Sequence, residues 1–293
     1  MREFILTVPE NLAGRDIKYI LKNHFEFSSS LITALKEGDG IMLCGKKEFV
    51  NKKVALGDIL KITLFDKASE NITPQNIPLD ILYDDEDLLA VNKPPKTPTH
   101  PSIYHTKDTV ANAVLYYFKG TPFTFRAPSR LDRDTSGVLI VAKNAWCAER
   151  ISRAIKNGEF KKEYMAVCVG TPKDMRGTIS APIKREKQGI IKRVISPDGK
   201  NAVTDYEVIK TLGNLSLLKL CPKTGRTHQI RLHLSHIGTP IYGDFLYGEE
   251  VLGERIRLHC KSVSFAHPLT KKPITITAPL PHDMRLEEIY KKL

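Results

Sequence analysis

The sequence predicts an α+β fold, and three observations carry that prediction. Candidate strands outnumber helices and do not strictly alternate with them, which argues against a doubly wound parallel sheet. A helix–helix–turn–strand pattern near the N-terminus is set off from the rest by residues 66–78, an aperiodic stretch with two prolines that reads as a linker. The 293-residue length and 41% apolar share suffice for one large or two ordinary cores.

In chain order, Arg15 to His24 is the first predicted helix and Ser28 to Glu37 the second. Serines open the second, Leu31, Ile32 and Leu35 fall at helical spacing, and Gly38-Asp39-Gly40 ends it. Short strands follow at Ile41–Cys44, Phe49–Val50 and Ile59–Leu64, with turns at Gly45-Lys46-Lys47 and Gly57-Asp58. After the linker, strands are predicted at Ile81–Tyr83, Leu88–Val91, Val138–Ala142, Glu163–Val169, Val203–Lys210, Leu215–Leu220, Arg257–Phe265 and Ile274–Thr277. Helices interrupt them at Ala111–Phe118, Ala145–Lys156 and Thr227–Ile237. Asn144 caps the middle helix and Gly158 ends it, while Thr227 and Gly238 are the expected caps of the last.

No apolar run approaches the roughly 18 residues of a membrane span, and the N-terminus has no secretory apolar region. Five dispersed cysteines without a Cys-x-x-Cys pair suggest reduced core thiols, a cytoplasmic setting and no structural zinc. The net charge of +12 is uneven: residues 1–70 hold 11 basic and 10 acidic side chains, so residues 71–293 carry +11. That asymmetry favours a phosphate-rich partner, nucleic acid first.

Four segments could carry chemistry. Lys93 to Ser102 is a loop stiffened by four prolines, on which Lys93, Lys96 and His100 could line an anionic groove. Arg130-Leu131-Asp132-Arg133-Asp134-Thr135-Ser136-Gly137 sets two carboxylates among arginines just before an apolar strand. Either aspartate could be reactive, or either could cap the turn. Tyr164 lies on a strand whose same-face neighbours, Ala166 and Cys168, are small enough to leave room for a ligand. Thr224 to Gly238 reads as a glycine turn entering a helix, with Ile230, Leu234 and Ile237 as its buried stripe. A helix start beside Arg226 suits an anion. His228, His233 and His236 lack the i, i+4 spacing and nearby carboxylate of a zinc helix, so no metal is expected.

Taken in order, these segments resemble the RluA-type pseudouridine synthases over about residues 78–280. The resemblance rests on Lys93-Pro94 to His100-Pro101, Arg130 to Gly137, Lys161-Lys162-Glu163-Tyr164, and Thr224 to Arg231 followed by Gly238 to Asp244. Lys96 stands where the family usually has glycine, and Ser129 where it commonly has histidine. The resemblance implies a catalytic domain over residues 79–293, with a mostly antiparallel mixed sheet flanked by helices and loops. It implies isomerisation of uridine in RNA to pseudouridine, without a cofactor. Asp132 would be the catalytic carboxylate, Arg231 its ion-pair partner, and Tyr164 the ring stacked on uracil. Arg130 would fill the space of the flipped base, with Lys93, His100, Arg226 and His228 binding the RNA.

Within a small domain over residues 1–65, roughly residues 11–65 are similar, more loosely, to the alpha-L RNA-binding module first recognised in a ribosomal small-subunit protein. Leu43-Cys44-Gly45-Lys46 replaces that module's usual valine–asparagine–glycine–lysine turn. The module tilts the expected substrate towards ribosomal RNA over transfer RNA. A monomer that engages no membrane is expected. The competing readings are a non-catalytic RNA-binding protein, which needs no such carboxylate, and a metal-dependent nuclease built on the histidines, which would cut RNA.

Overall fold

The computed structural model describes residues 1–291 and has the expected α+β class. Its N-terminal unit comprises β1 (Arg2–Thr7), α1 (Ile17–Asn23), α2 (Ser29–Lys36), β2 (Ile41–Leu43), β3 (Lys46–Lys47) and β4 (Ile59–Leu64). The strands form one antiparallel sheet in the order β1-β4-β2-β3. Asp16 caps α1 by accepting from the Tyr19 amide at 2.6 Å, and Ser28 caps α2 through the Leu31 amide at 3.1 Å. β1 escaped the sequence reading. The expected strand at Phe49–Val50 is absent, because Cys44 and Gly45 both take positive φ, 48° and 79°. They make a two-residue hairpin turn that starts β3 at Lys46 and leaves Phe49 exposed.

The larger unit runs through β5 (Ile81–Asp84), β6 (Leu88–Lys93), α3 (Val110–Tyr117), β7 (Ser136–Ala142), α4 (Ala145–Lys156), β8 (Lys161–Val169) and β9 (Arg176–Ser180). It continues with β10 (Ile183–Arg185), β11 (Arg193–Ile195), β12 (Val203–Leu212), β13 (Leu215–Pro222), α5 (Gln229–His236), β14 (Leu258–Ala266), β15 (Pro273–Thr277) and α6 (Leu286–Tyr290). A nine-stranded sheet has the order β5-β6-β7-β14-β8-β13-β12-β9, with β15 also on β14. Only β7 and β14 pair in parallel. The sequence reading missed β9, the separate β10–β11 hairpin and α6. Every residue of β7 is buried, as its apolar run requires.

Residues 66–78 connect the units without hanging free. Asp66 pairs with Arg126, the Ser69 hydroxyl accepts from the Phe125 amide, and Asn112 donates to the Thr73 carbonyl. Trp146, on α4, meets Phe4 edge to face at 5.1 Å and donates its ring N–H to the Phe25 carbonyl. Arg2 pairs with Asp87, so one apolar cluster extends through both units.

Candidate active site

Strand register brings the chemistry together. Gly137 on β7 lies opposite Cys260 on β14, which lies opposite Tyr164 on β8, which lies opposite Leu220 on β13. The turn carrying Asp132 feeds one end of this row, and the loop into α5 leaves β13 two residues beyond Leu220. Gly137 has φ +109°, and a Cβ there would sit 2.1 Å from the Cys260 carbonyl oxygen, so only glycine lets β14 approach this closely.

A cavity of about 850 Å³ opens here. Its lining includes Arg130, Asp132, Lys161, Lys162, Glu163, Tyr164, Lys223, Arg226, His228 and Arg231. Six of these are Lys or Arg against two carboxylates, which makes the cavity suited to a polyanion.

The two aspartates of the turn separate by environment. Asp134 is buried and takes the Arg133 guanidinium at 3.1 Å, so it belongs to the turn. Asp132 is half-buried and faces the cavity, and among the described residues its carboxylate takes no hydrogen bond or ion pair. The turn is closed by the Thr135 amide donating to the Asp132 carbonyl at 3.1 Å, and Ser136 is joined to the His259 ring at 2.9 Å.

Asp132 is electrostatically central. Burial first, then Cys260 and Asp132, push the Tyr164 hydroxyl well above its ordinary value. Burial lowers the Lys162 amine and the His228 imidazole, and the Asp132 charge opposes both changes. Burial also works against the Arg231 charge, but Asp244 bound to it, with Asp132 behind, raises its pKa.

The expected direct pair of Arg231 with Asp132 is not formed. Arg231 is instead held by Asp244, Nε to Oδ2 at 2.8 Å and Nη2 to Oδ1 at 2.7 Å, with both side chains buried. A planar guanidinium pairs best with a carboxylate that can take both its N–H groups, and the buried Asp244 does so. Arg231 thus brings a fixed positive charge near Asp132 without neutralising it.

Two expected RNA-binding residues stand outside the cavity lining. Lys93 is fully buried, and its Nζ donates to the Pro94, Thr97 and Arg133 carbonyls, each at 2.8 Å. Burial pulls this amine down to about 7 against the charges of Asp134 and Asp132. Its three acceptors are what an ammonium with three donors fills. Lys93 therefore ties the proline loop to the residue after Asp132, while Thr99 bonds the Leu131 carbonyl on its other side. His100 keeps part of its ring exposed and sets the rest edge-on to Phe125 at 5.1 Å; that partial cover, then the Arg130 charge, lower its pKa.

Arg130 is exposed on the rim and donates to Thr227 Oγ1 at 3.2 Å. Thr227 therefore does not cap α5. His228 occupies the cap position at φ 58° without a capping bond, and the Gln229 side chain gathers the loop through Thr224 and the Arg226 amide. His233 is buried with both ring nitrogens engaged, on Thr204 and the Ala181 carbonyl, which removes it from any cluster with His228. Among the described residues no three His, Cys, Asp or Glu side chains gather as metal ligands.

Sequence reasoning passed over Lys162, although strand alternation puts it on the Tyr164 face. It also missed Asp244 and Tyr247, whose proximity to α5 has no local signal.

Known proteins resemble this chain over most of its length. The RNA pseudouridylate synthase family matches residues 87–236. An RNA pseudouridine synthase of Bacillus subtilis, YjbO, is 40% identical over 88% of this chain and 93% of its own. The ribosomal large subunit pseudouridine synthase D of Xanthomonas campestris is 32% identical over 95% of this chain and 89% of its own. The solved structure of human RNA pseudouridylate synthase domain containing 1 is 28% identical, covering 74% of this chain and 95% of its own with TM-score 0.61.

Proposed function

Given that the chain belongs to the RNA pseudouridylate synthases, enzymes that isomerise uridine in RNA to pseudouridine, we propose that Asp132 is its catalytic carboxylate and ribosomal RNA its substrate. The reaction breaks the bond from uracil N1 to ribose C1′, turns the base and joins C5 to C1′. The C5 proton leaves and N1 gains one, so no oxidant, reductant or carried group is consumed. The single observation behind this assignment is the position of Asp132: half-buried, unpaired, and close enough to Tyr164, Lys162, His228 and Arg231 for its charge to bear on each.

A carboxylate so placed can attack C1′ or take the C2′ proton, and in either role it must stay ionised. Arg231, held by Asp244, sets a fixed positive charge near it without occupying its oxygens. Tyr164 presents a buried ring against which uracil can stack, and burial first, then Cys260 and Asp132, hold its hydroxyl in the protonated form. Taking a uridine out of its stack costs a few kcal/mol. Arg130, on the rim beside Thr227, would occupy the vacated position, while Arg226 and His228 hold flanking phosphates.

The ribosomal assignment rests on the relative named for the large subunit and on the N-terminal unit, read as an alpha-L RNA-binding module. We place the enzyme in the cytoplasm as a monomer; among the described residues no helix is long and apolar enough to cross a membrane. The test is Asp132→Asn in a single-turnover assay of tritium release from uracil-labelled RNA. Release should fall below detection while RNA binding stays within about threefold, since a neutral carboxamide of the same size replaces one carboxylate at the site. Turnover at the wild-type rate would overturn the assignment.

A further inference from the structure

Six cations line the cavity, and four of them are already engaged. Arg231 is tied to Asp244, and Lys223 pairs with Asp205 at 2.9 Å. Arg226 donates its Nε to the Asn201 carbonyl at 3.0 Å, and Arg130 donates to Thr227. Of the other two, Lys161 is exposed and lies opposite Ser264. Lys162 is half-buried, and among the described residues its amine takes part in no hydrogen bond or ion pair. Its strand position is opposite Val263, which is fully buried, so the stem has core packing on its own face. An ammonium has three donors to fill, as Lys93 does with three carbonyls. Lys162 keeps all three for a group that enters the cavity.

The strand also fixes where that amine stands relative to the reacting groups. Lys162 and Tyr164 are two residues apart on β8, so both project from one face, with Cα atoms about 6.6 Å apart. A uracil stacked on the Tyr164 ring therefore turns an edge, and not its face, towards Lys162. Burial lowers the pKa of the Lys162 amine while Cys260 and then Asp132 oppose the change, so Asp132 lies within its electrostatic reach. Asp132 has to act at the ribose, whose C1′ carries uracil N1. Of the two ring atoms that flank N1, C6 has no acceptor and C2 carries oxygen O2. A cation close to Asp132 and to the edge of the base therefore meets O2.

We propose that Lys162 is a further catalytic residue, whose ammonium stabilises the uracil while it is detached from the ribose. When the N1–C1′ bond breaks, its electron pair stays on N1 and spreads to O2 and O4, so the base becomes an anion. The Lys162 ammonium donates a hydrogen bond to O2 and keeps its proton. As C5 joins C1′, the pair forms the new bond and the negative charge is spent. The C5 proton then leaves and N1 gains one. The ammonium thus meets a charge that is greatest between bond breaking and bond making, the condition under which an interaction raises the rate and not merely the affinity. The proposal rests on the reading of Asp132 as the carboxylate that acts at the ribose.

The test uses the full-length protein and RNA from cells lacking its gene, which holds the target uridine whichever RNA carries it. The RNA is labelled in growth either with uracil tritiated at C5 or with radioactive 5-fluorouracil. Single-turnover rates are read as tritium release from the first. From the second they are read as the carbon-linked nucleoside recovered by nuclease digestion and chromatography. Lys162→Met should lower the rate on uridine about 10²-fold, the scale of losing one preorganised donor to a developing anion, with RNA affinity within about threefold. Lys162→Arg keeps the charge and should stay within about tenfold of the wild type. Fluorine at C5 withdraws electron density and stabilises the detached anion by itself. On 5-fluorouridine the deficit of Lys162→Met should therefore shrink to about tenfold or less. An equal deficit on both substrates would make Lys162 a support for Asp132 or for the fold, and a deficit confined to affinity would make it a phosphate contact. Either result overturns the proposal. Lys162→Gln, neutral but still a donor, supplies the same comparison if the Met variant does not fold. Asp132→Asn measured in parallel separates the two readings: wild-type turnover there overturns the catalytic carboxylate, while the ratio between the two substrates judges Lys162.

Discussion

At the scale of single residues, the sequence showed which segment could carry chemistry but not which aspartate. Asp132 and Asp134 are two positions apart, and both can cap a turn. Only packing separates them, since Asp134 is buried on Arg133 and Asp132 faces the cavity. The family resemblance made the same choice in advance. It included Asp244 at the end of its last block but gave it no role, and nothing in the 13-residue separation from Arg231 signals the ion pair. Removing one partner of a buried ion pair costs about 3–5 kcal/mol, because the other charge is left in the interior. Asp244→Asn should therefore destabilise the protein by that amount in urea denaturation and cut turnover at saturating RNA. Restored stability in the double variant Asp244→Asn, Arg231→Met, with turnover still absent, would show that the cost lay in the stranded charge. An unchanged midpoint in the single variant would mean the pair carries no such load.

At the scale of elements, periodicity located helices and buried strands well and edges poorly. α2, α4 and β7 fall where their apolar patterns put them, because one buried face leaves a period of 3.6 or a continuous apolar run. The β10–β11 hairpin was illegible: three-residue strands flanked by charges leave no period to detect. The start of α5 was misread because Gln229, not Thr227, gathers the loop. The junction of β7 with β14 supports a prediction about pH. His259 is fully buried, bonded to Ser136 at the end of the Asp132 turn, and burial lowers its pKa to about 4. In the unfolded chain the same ring has a pKa of about 6.5. The unfolded state therefore binds more protons between those values, so stability is complete above about 6.5 and falls as the pH drops towards 4. The loss should reach about 3 kcal/mol. Urea midpoints across this range should show it, and His259→Gln should flatten the dependence. A variant with the same acid-side slope as the wild type would assign the effect to other groups.

At the scale of the whole molecule, the uneven charge and the proline-containing connection suggested two units, and the structure shows how firmly they meet. The charge split follows from the division of surfaces: the smaller unit is nearly neutral, and the cations collect around the cavity and the hairpin of the larger one. What no sequence pattern revealed was the docking. Phe4, Phe25 and Phe27 come from the smaller unit and Trp146 from α4, and their contact depends on residues more than a hundred positions apart. Trp146 is the only tryptophan in the chain, so its emission reports this junction directly. It is 4% exposed, with its ring N–H on the Phe25 carbonyl, and should emit at short wavelength and resist acrylamide quenching. In the wild type, the red shift of Trp146 and the loss of far-ultraviolet circular dichroism should follow one urea transition, because units sharing a core unfold together. Phe4→Ala removes a buried ring from the middle of the junction, at a cost of about 3–5 kcal/mol. That cost falls on the junction and the smaller unit, so Trp146 should shift red at lower urea than the dichroism of the nine-stranded sheet is lost. A Trp146 transition in Phe4→Ala at the wild-type urea concentration, or free quenching of Trp146 in the native wild type, would show that the two units are not coupled through this cluster.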